Sequence, residues 1–172
     1  MPRIAVIGAG LIGYSWAVVF ARAGWEVALY DATSDATERA LAMVAVGMAE
    51  LQEHGLVDDA KTAVKRVRNS SSLADALDGA SFVQENTPET LDAKRAIFTD
   101  LDRLAAPDAI LASSTSMIVA SLFTEKLKGR HRCLVAHPVN PPHLVPLVEL
   151  VGAPWTASKT IVPVVNQIRT YW

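Results

Sequence analysis

The chain has 172 residues, of which 51% are hydrophobic and 20% charged, with a formal net charge of −2. This length and composition suit one domain with a proper core, and the near-neutral charge gives no reason to expect nucleic acid as a partner. The single cysteine, Cys133, excludes a disulfide framework and a cysteine-rich metal site, and no histidine cluster has metal spacing, so we expect no metal. Without a signal-peptide layout or a long apolar run, we expect a cytoplasmic protein with no membrane partner.

Short apolar runs alternate with helical patterns along the chain. Strands are predicted, in chain order, at residues 3–8, 26–31, 81–85, 109–114, 132–138 and 146–151. Helices are predicted between them at residues 11–24, 35–54, 58–66, 72–80, 87–106 and 117–127. Pro88 is expected in the first turn of its helix, and Pro163 is expected to kink or end a last one. The alternation predicts an α/β fold, a mostly parallel sheet with helices on both faces.

The first predicted strand runs directly into a glycine loop, "GAGLIG". In this setting Gly8 permits a tight turn, Gly10 lets a pyrophosphate approach the backbone, and Gly13 lets the helix pack closely on the strand. The backbone N–H groups of Leu11 and Ile12, at the positive end of the helix, are then available to phosphates. The loop therefore predicts a dinucleotide site.

An acidic residue closes the second predicted strand. Asp31 lies 18 residues after Gly13, where a carboxylate can accept hydrogen bonds from ribose hydroxyls and would repel a 2′-phosphate. No arginine follows it in "DATSDA". The pattern predicts a Rossmann-type domain that binds NAD in preference to NADP; FAD binding and a purely structural glycine turn are the alternatives.

An NAD domain implies hydride transfer, and oxidising an alcohol also needs a base for the hydroxyl proton. Of the four histidines, His137 is the candidate, because it closes a predicted strand and Pro138 favours an extended backbone there. Glu149 is a single carboxylate in an apolar run, so it needs a partner. If 132–138 and 146–151 lie side by side, the two meet, and the carboxylate orients the imidazole. The alternative is a core histidine and an edge glutamate without a catalytic role.

Two further polar residues are expected at the same crevice. Ser116 follows another predicted strand in "SSTS" and could hydrogen-bond a substrate oxygen, or it could cap a helix starting near Met117. Asn140 could hold a substrate or nicotinamide oxygen, or simply make the turn before two prolines.

Together these motifs resemble the 3-hydroxyacyl-CoA dehydrogenase superfamily, in its NAD-binding N-terminal domain. The resemblance covers essentially the whole chain and depends on "VIGAGLIG", the strand-end Asp31, "PETLDAK", "SSTS" and "HPVNPP…PLVEL". It implies that His137 is the general base, oriented by Glu149. It also implies that Glu89 and Lys94 line the nicotinamide side of the pocket and that Ser116 contacts the substrate. Asn140 matches the asparagine of the family's histidine motif.

Within the superfamily, "LASSTS" and "VAHPVNPPHLVPLVELVGAP" are most similar to the L-gulonate 3-dehydrogenase, or lambda-crystallin, branch. This similarity implies NAD-dependent oxidation of a small polar 3-hydroxy acid. A 3-hydroxyacyl-CoA dehydrogenase, a carnitine dehydrogenase and a non-catalytic NAD-binding module are the alternatives. The family also has a helical C-terminal domain that forms most of its dimer. We therefore expect residues 1–172 to be one NAD-binding domain truncated at its C-terminus, poorly active alone and a homodimer in the full-length protein.

Overall fold

The structure is a computed structural model that describes residues 2–168. Its strands are β1 (Arg3–Ile7), β2 (Glu26–Tyr30), β3 (Val67–Asn69), β4 (Phe82–Glu85), β5 (Ile110–Ser113), β6 (Cys133–Pro138) and β7 (Val148–Gly152). Its helices are α1 (Leu11–Arg22), α2 (Ser34–Glu53), α3 (Ala60–Val64), α4 (Leu73–Leu77), α5 (Leu91–Leu104), α6 (Ser121–Thr124) and α7 (Ser158–Ile168).

The seven strands form one sheet in the order β3-β2-β1-β4-β5-β6-β7. Strands β1 to β6 are parallel, and β7 is antiparallel to β6. The first six strands thus have the doubly wound order, in which the chain direction across the sheet reverses between β1 and β4. This confirms the predicted α/β fold, and it places a crevice at the carboxyl ends of β1 and β4.

The sheet is covered on both faces, so successive residues of a central strand enter two separate cores. Ile4 and Val6 of β1 pack with Trp16 of α1 on one face. Ala5, between them, packs with Phe98 of α5 on the other face. Because both faces are buried, the central strands appear as continuous apolar runs in the sequence.

Two predicted helices differ from the structure near their N-termini. In place of the helix expected at 117–127, the structure has the shorter helix α6. Backbone N–H groups just before α6 donate to side chains; the Ile118 N–H, for example, donates to the Thr115 hydroxyl at 3.0 Å. In α5 the N-cap is Thr90, whose hydroxyl accepts a hydrogen bond from the Ala93 N–H. Pro88 therefore precedes the helix instead of lying in its first turn.

Two other elements were missed or left open by the sequence patterns. Strand β3 was not predicted, because three residues with one buried side chain give no periodic signal, and it forms only by pairing with β2. Helix α7 contains Pro163 and continues beyond it to Ile168, so it does not end at the proline.

Candidate functional site

The three glycines of the loop between β1 and α1 have different structural roles. Gly8 has φ +93°, and a Cβ there would lie 2.6 Å from the Asn86 carbonyl oxygen. A Cβ on Gly13 would lie 1.9 Å from the Gly8 carbonyl oxygen. A Cβ on Gly10 would meet nothing within 4 Å. The fold itself requires Gly8 and Gly13, whereas the space above Gly10 is left for something outside the chain.

The start of α1 is open to an anion. Gly10 occupies the N-cap and provides no capping side chain, and the first turn contains no acidic residue. The N–H groups of Leu11 and Ile12 therefore keep the partial positive charge of a helix N-terminus. This arrangement fits a pyrophosphate, with no protein carboxylate competing for it.

Asp31 is held at the edge of the same loop. The Ala9 N–H donates to its Oδ2 at 2.8 Å, and the Thr33 N–H donates to its Oδ1 at 2.9 Å. The carboxylate borders a cavity of about 530 Å³ that also includes Gly8 and Gly10. Each carboxylate oxygen has a further lone pair for a hydroxyl donor, so the cavity fits an adenosine ribose.

His137 and Glu149 lie opposite each other on the antiparallel pair β6 and β7. The His137 Nδ1 and Glu149 Oε2 atoms are 2.8 Å apart, with side chains 29% and 65% exposed. A carboxylate accepts, so in the neutral imidazole the hydrogen that faces Glu149 is on Nδ1, and that tautomer has a free lone pair on Nε2. The contact expected from the sequence is therefore present, and the catalytic role assigned to it stays a prediction.

A second cavity, of about 480 Å³, brings the predicted chemistry together. Its lining includes His137, Ser116, Asn140, Glu89 and Lys94, which come from three separate parts of the chain. The side chain of Ile12 also borders it, so the cavity continues from the start of α1.

Glu89 fixes the loop that carries Ser116. Its Oε1 accepts hydrogen bonds from the Thr115 hydroxyl at 2.5 Å and from the N–H groups of Ser116 and Met117 at 3.0 and 3.1 Å. Burial alone would raise the pKa of Glu89. The net effect is a pKa below the ordinary value, because four stabilising contacts outweigh burial: the hydrogen bonds from the Thr115 hydroxyl and the Met117 N–H, the Lys94 charge, and the hydrogen bond from the Ser116 N–H. Ser116 does not cap α6, whose N-cap is Ala120.

A buried ion pair below this cavity was not recognised in the sequence. Lys94 Nζ lies 2.8 and 3.0 Å from the two carboxylate oxygens of Glu85, and both side chains are essentially inaccessible to solvent. Glu85 closes β4, so the signal was available: a charged residue that ends a buried central strand needs a partner.

Asn86 is a second residue that sequence reasoning missed. It borders both cavities, since it follows β4 at the point where the strand order reverses. Its Nδ2 donates to the Gln84 carbonyl at 3.0 Å, and its Oδ1 accepts from the Ser114 hydroxyl at 2.7 Å. An asparagine after a strand is ordinary in turns, so no local pattern distinguishes it.

The remaining histidines and the cysteine lie away from this chemistry. His54 and His131 are exposed, while His143 is buried beside Tyr14. Burial lowers the pKa of His143, against the opposing charge of Glu50. Cys133 is a buried core residue, and burial raises the pKa of its thiol to about 12.

Three further observations limit what the described residues can do. Among residues 2–168, no group of three or more histidine, cysteine, aspartate or glutamate side chains could hold a metal ion. Within the same part of the chain, no helix is long and apolar enough to cross a bilayer. A larger cavity, of about 670 Å³, lies between α2 and α3 and contains none of the predicted site residues.

The doubly wound sheet, the glycine loop and the strand-end acid define an NAD-binding domain of the dehydrogenase class. The chain belongs to the family of the 3-hydroxyacyl-CoA dehydrogenase NAD-binding domain, whose sequence model matches residues 3–171. The resemblance found in the sequence is thereby confirmed, and the cofactor is NAD rather than FAD.

Known proteins similar to this chain include dehydrogenases and a crystallin homologue. This chain is 40% identical to the lambda-crystallin homolog of Rattus norvegicus over 161 residues. It is 38% identical to the L-carnitine dehydrogenase of Streptomyces coelicolor over 159 residues. Each alignment includes 92% of this chain and 50% or 49% of the relative. The fold matches 3-hydroxybutyryl-CoA dehydrogenase from Escherichia coli with a TM-score of 0.94 and 27% identity, over 99% of this chain and 36% of that one. The chain thus spans about half the length of the curated relatives it matches.

Proposed function

We propose that this chain is the NAD-binding part of an NAD-dependent 3-hydroxy acid dehydrogenase that oxidises an L-gulonate-like substrate to the 3-keto acid. The observation that carries the proposal is the His137–Glu149 contact of 2.8 Å, in a cavity shared with Ser116 and Asn140. A base, the carboxylate that orients it and two hydrogen-bonding side chains are the groups that alcohol oxidation requires besides a hydride acceptor.

His137 acts as the general base in this proposal. Its Nε2 takes the proton of the substrate hydroxyl, while Glu149 holds Nδ1–H and stabilises the imidazolium that forms. Ser116 and Asn140 hold the substrate oxygen as it becomes a carbonyl. When bound, NAD supplies the acceptor for the hydride that leaves the substrate carbon.

The cofactor is held by two groups of residues in this proposal. The glycine loop and the N–H groups of Leu11 and Ile12 would hold the pyrophosphate, and Asp31 would bind the adenosine ribose. Glu89 and Lys94 line the nicotinamide side, which is supported by their position in the cavity that contains His137.

The substrate is proposed from the relatives. The lambda-crystallin homolog is 40% identical, which supports the gulonate branch. L-carnitine dehydrogenase is 38% identical, so a carnitine-like 3-hydroxy acid is the second candidate. A 3-hydroxyacyl-CoA substrate is the third. A non-catalytic NAD-binding role is the fourth.

The domain, assembly and location are proposed in the same way. We infer that residues 1–172 are one NAD-binding unit that works with a helical C-terminal domain and forms a homodimer in the longer protein. Cytoplasmic location is proposed because the single cysteine is buried and unpaired.

NADH formation tests the function directly. L-Gulonate, L-carnitine and 3-hydroxybutyryl-CoA are each added with NAD, to this chain and to a longer form that carries a helical C-terminal domain. We expect NADH absorbance to rise fastest with L-gulonate in the longer form. NADH binding without turnover of any of the three would support the non-catalytic role instead.

Replacing the base is the first specific prediction. His137→Gln removes the proton acceptor and keeps the side-chain size similar, so kcat should fall by about 10²–10⁴ while the Kd for NADH is unchanged. Steady-state kinetics and NADH fluorescence titration measure the two quantities. His131→Gln, an exposed histidine outside the cavity, is the matched control and should leave both unchanged. Near-normal kcat in His137→Gln would remove His137 from the role of base.

A further inference from the structure

Three ionisable groups lie in a row at the second cavity, and two of them, Lys94 and Glu89, line it. Lys94 Nζ lies 2.8 Å from Glu85 Oε1 on its buried side and 3.8 Å from Glu89 Oε2 on its other side. Glu85 and Lys94 are buried, whereas Glu89 is partly exposed to the cavity. We name these three residues the acid–lysine–acid row.

Glu85 is fixed in place by donors from three elements. Besides Lys94, its carboxylate accepts hydrogen bonds from the Ser113 hydroxyl at 2.5 Å and from the Thr87 hydroxyl at 2.6 Å. Lys94 in turn donates to the Thr87 carbonyl at 2.9 Å. A buried charge with this many partners keeps one position, and so does the ammonium that it pairs with.

The row carries one net negative charge. Glu85 and Lys94 cancel each other, and Glu89 remains, with its Oε1 occupied by the loop donors and its Oε2 beside Lys94 and the cavity. Among the described residues that line this cavity, the only other titratable side chain is His137. The electrostatic character of the wall facing His137 is therefore negative.

This sign matters because the two forms of the nicotinamide ring differ by one charge: the oxidised ring is positive and the reduced ring is neutral. On the proposed function, the ring must enter the cavity that contains His137, since hydride and proton leave the same substrate. A negative wall stabilises the oxidised ring and has little effect on the neutral one.

We propose that the acid–lysine–acid row sets the relative affinity for NAD⁺ and NADH, and that Glu85 is its positioning residue. Glu85 lines neither cofactor cavity; it acts by holding Lys94 and balancing its charge. Without Glu85 the row is neutral. Without Lys94, the buried Glu85 carboxyl has no counter-charge and takes up a proton, so Glu89 leaves the row with one negative charge. Glu85→Gln must therefore weaken NAD⁺ binding relative to NADH binding, whereas Lys94→Met must not.

The test is the ratio of Kd for NAD⁺ to Kd for NADH, measured by calorimetry and by NADH fluorescence with no substrate present. Glu85→Gln should raise this ratio by about 5- to 30-fold, the range for one unit charge a few ångströms away in a partly screened site. Lys94→Met leaves one negative charge, on Glu89, so the ratio should stay within about twofold of the wild type. The double variant Glu85→Gln/Lys94→Met restores the single negative charge, so its ratio should return to that of the wild type.

Two further variants separate charge from structural damage. Glu89→Gln neutralises the row without creating an unpaired buried charge, so it should raise the ratio even if Glu85→Gln fails to fold. Asp100→Asn removes one negative charge from the exposed side of α5, the helix that contains Lys94. Asp100 lies outside the cavity, so this substitution should leave the ratio unchanged.

An unchanged ratio in Glu85→Gln or in Glu89→Gln, or a ratio raised in Lys94→Met as it is in Glu85→Gln, would overturn the proposal. The outcome is independent of turnover. If none of the three substrates gives NADH but the ratios change as stated, the dehydrogenase proposal fails and the charge proposal stands. If turnover is found and the ratios do not change as stated, the charge proposal fails and the dehydrogenase proposal stands.

Discussion

At the scale of single residues, the cost of burying an unpaired charge explains the Glu85–Lys94 pair. Both side chains are buried, and their charged atoms are 2.8 Å apart. The same rule applied to the sequence predicted a partner for Glu149. The contact with His137 is present, but the Glu149 side chain is 65% exposed, so burial does not require it. The Glu85–Lys94 pair joins a strand to the following helix, and its lysine lies in a stretch with the pattern of an ordinary amphipathic helix.

His143 gives a pH prediction at this scale. It is buried against Tyr14, and its Nδ1 has no hydrogen-bond partner among the described residues. The ordinary pKa of this side chain is 6.5, and burial lowers the pKa in the folded chain. At a pH between these two pKa values, His143 binds a proton in the unfolded chain but not in the folded chain. Stability contributed by the neutral imidazole is present above pH 6.5 and is lost as the pH falls through the folded pKa.

We therefore expect the free energy of unfolding to fall between pH 7.5 and 5, by at most about 1.4 kcal/mol per pH unit from this group. Urea unfolding across this range measures it. His143→Phe should flatten the pH dependence, whereas His54→Gln, at the exposed end of α2, should leave it unchanged. An equal slope in wild type and His143→Phe would contradict the assignment.

At the scale of elements, two pairs of neighbours position the chemistry. Strand β7 pairs with β6 in a register that sets Glu149 opposite His137, while Val148 and Leu150 pack against the apolar core. A shift of one residue would turn Glu149 to the other face. The apolar residues on either side of the carboxylate therefore fix where it points.

The strand–loop–helix unit of β1 and α1 gives a second prediction. Gly13→Ala places a Cβ against the Gly8 carbonyl, so we expect the free energy of unfolding to fall by about 1–3 kcal/mol. Gly10→Ala places its Cβ in open space at φ −72°, so stability should change by less than about 1 kcal/mol while the Kd for NADH rises at least about tenfold. Urea unfolding and NADH titration on both variants measure the contrast. Normal NADH binding in Gly10→Ala would mean that the cofactor does not approach the loop there.

At the scale of the whole molecule, the strand order decides where binding and stability reside. The carboxyl ends of β1, β4, β5 and β6 converge on the two cavities. The opposite end of β6 begins beside Arg132, which is buried and paired with Asp102 at 3.0 Å. His137 and Arg132 thus lie at the two ends of one strand, one beside a cavity and the other in a structural ion pair.

Asp102→Asn tests this separation. Removing one partner of a buried ion pair leaves Arg132 uncompensated, so the free energy of unfolding should fall by about 3 kcal/mol or more. The Kd for NADH, measured at a temperature where the variant is folded, should stay within about twofold of the wild type because the pair is at the far end of the sheet. A large loss of NADH affinity with the fold intact would show that the two ends are coupled.

The sequence by itself determined the features that depend on neighbours along the chain. The glycine loop, the strand-end Asp31 and the alternation of strands and helices all follow from local conformation and apolar patterning. Each is encoded within a short window, so the α/β class and the cofactor NAD could be predicted. The His137–Glu149 contact was also predicted, from two strands expected to lie side by side.

The tertiary structure decided what depends on distant segments meeting. Strand β3 exists because β2 offers an edge, and α6 is short because Glu89 and Thr115 take the backbone N–H groups before it. The acid–lysine–acid row forms because the end of β4 and the first turn of α5 meet below the cavity. No periodic pattern encodes these contacts, since their energy comes from partners that only the folded sheet brings within hydrogen-bonding distance.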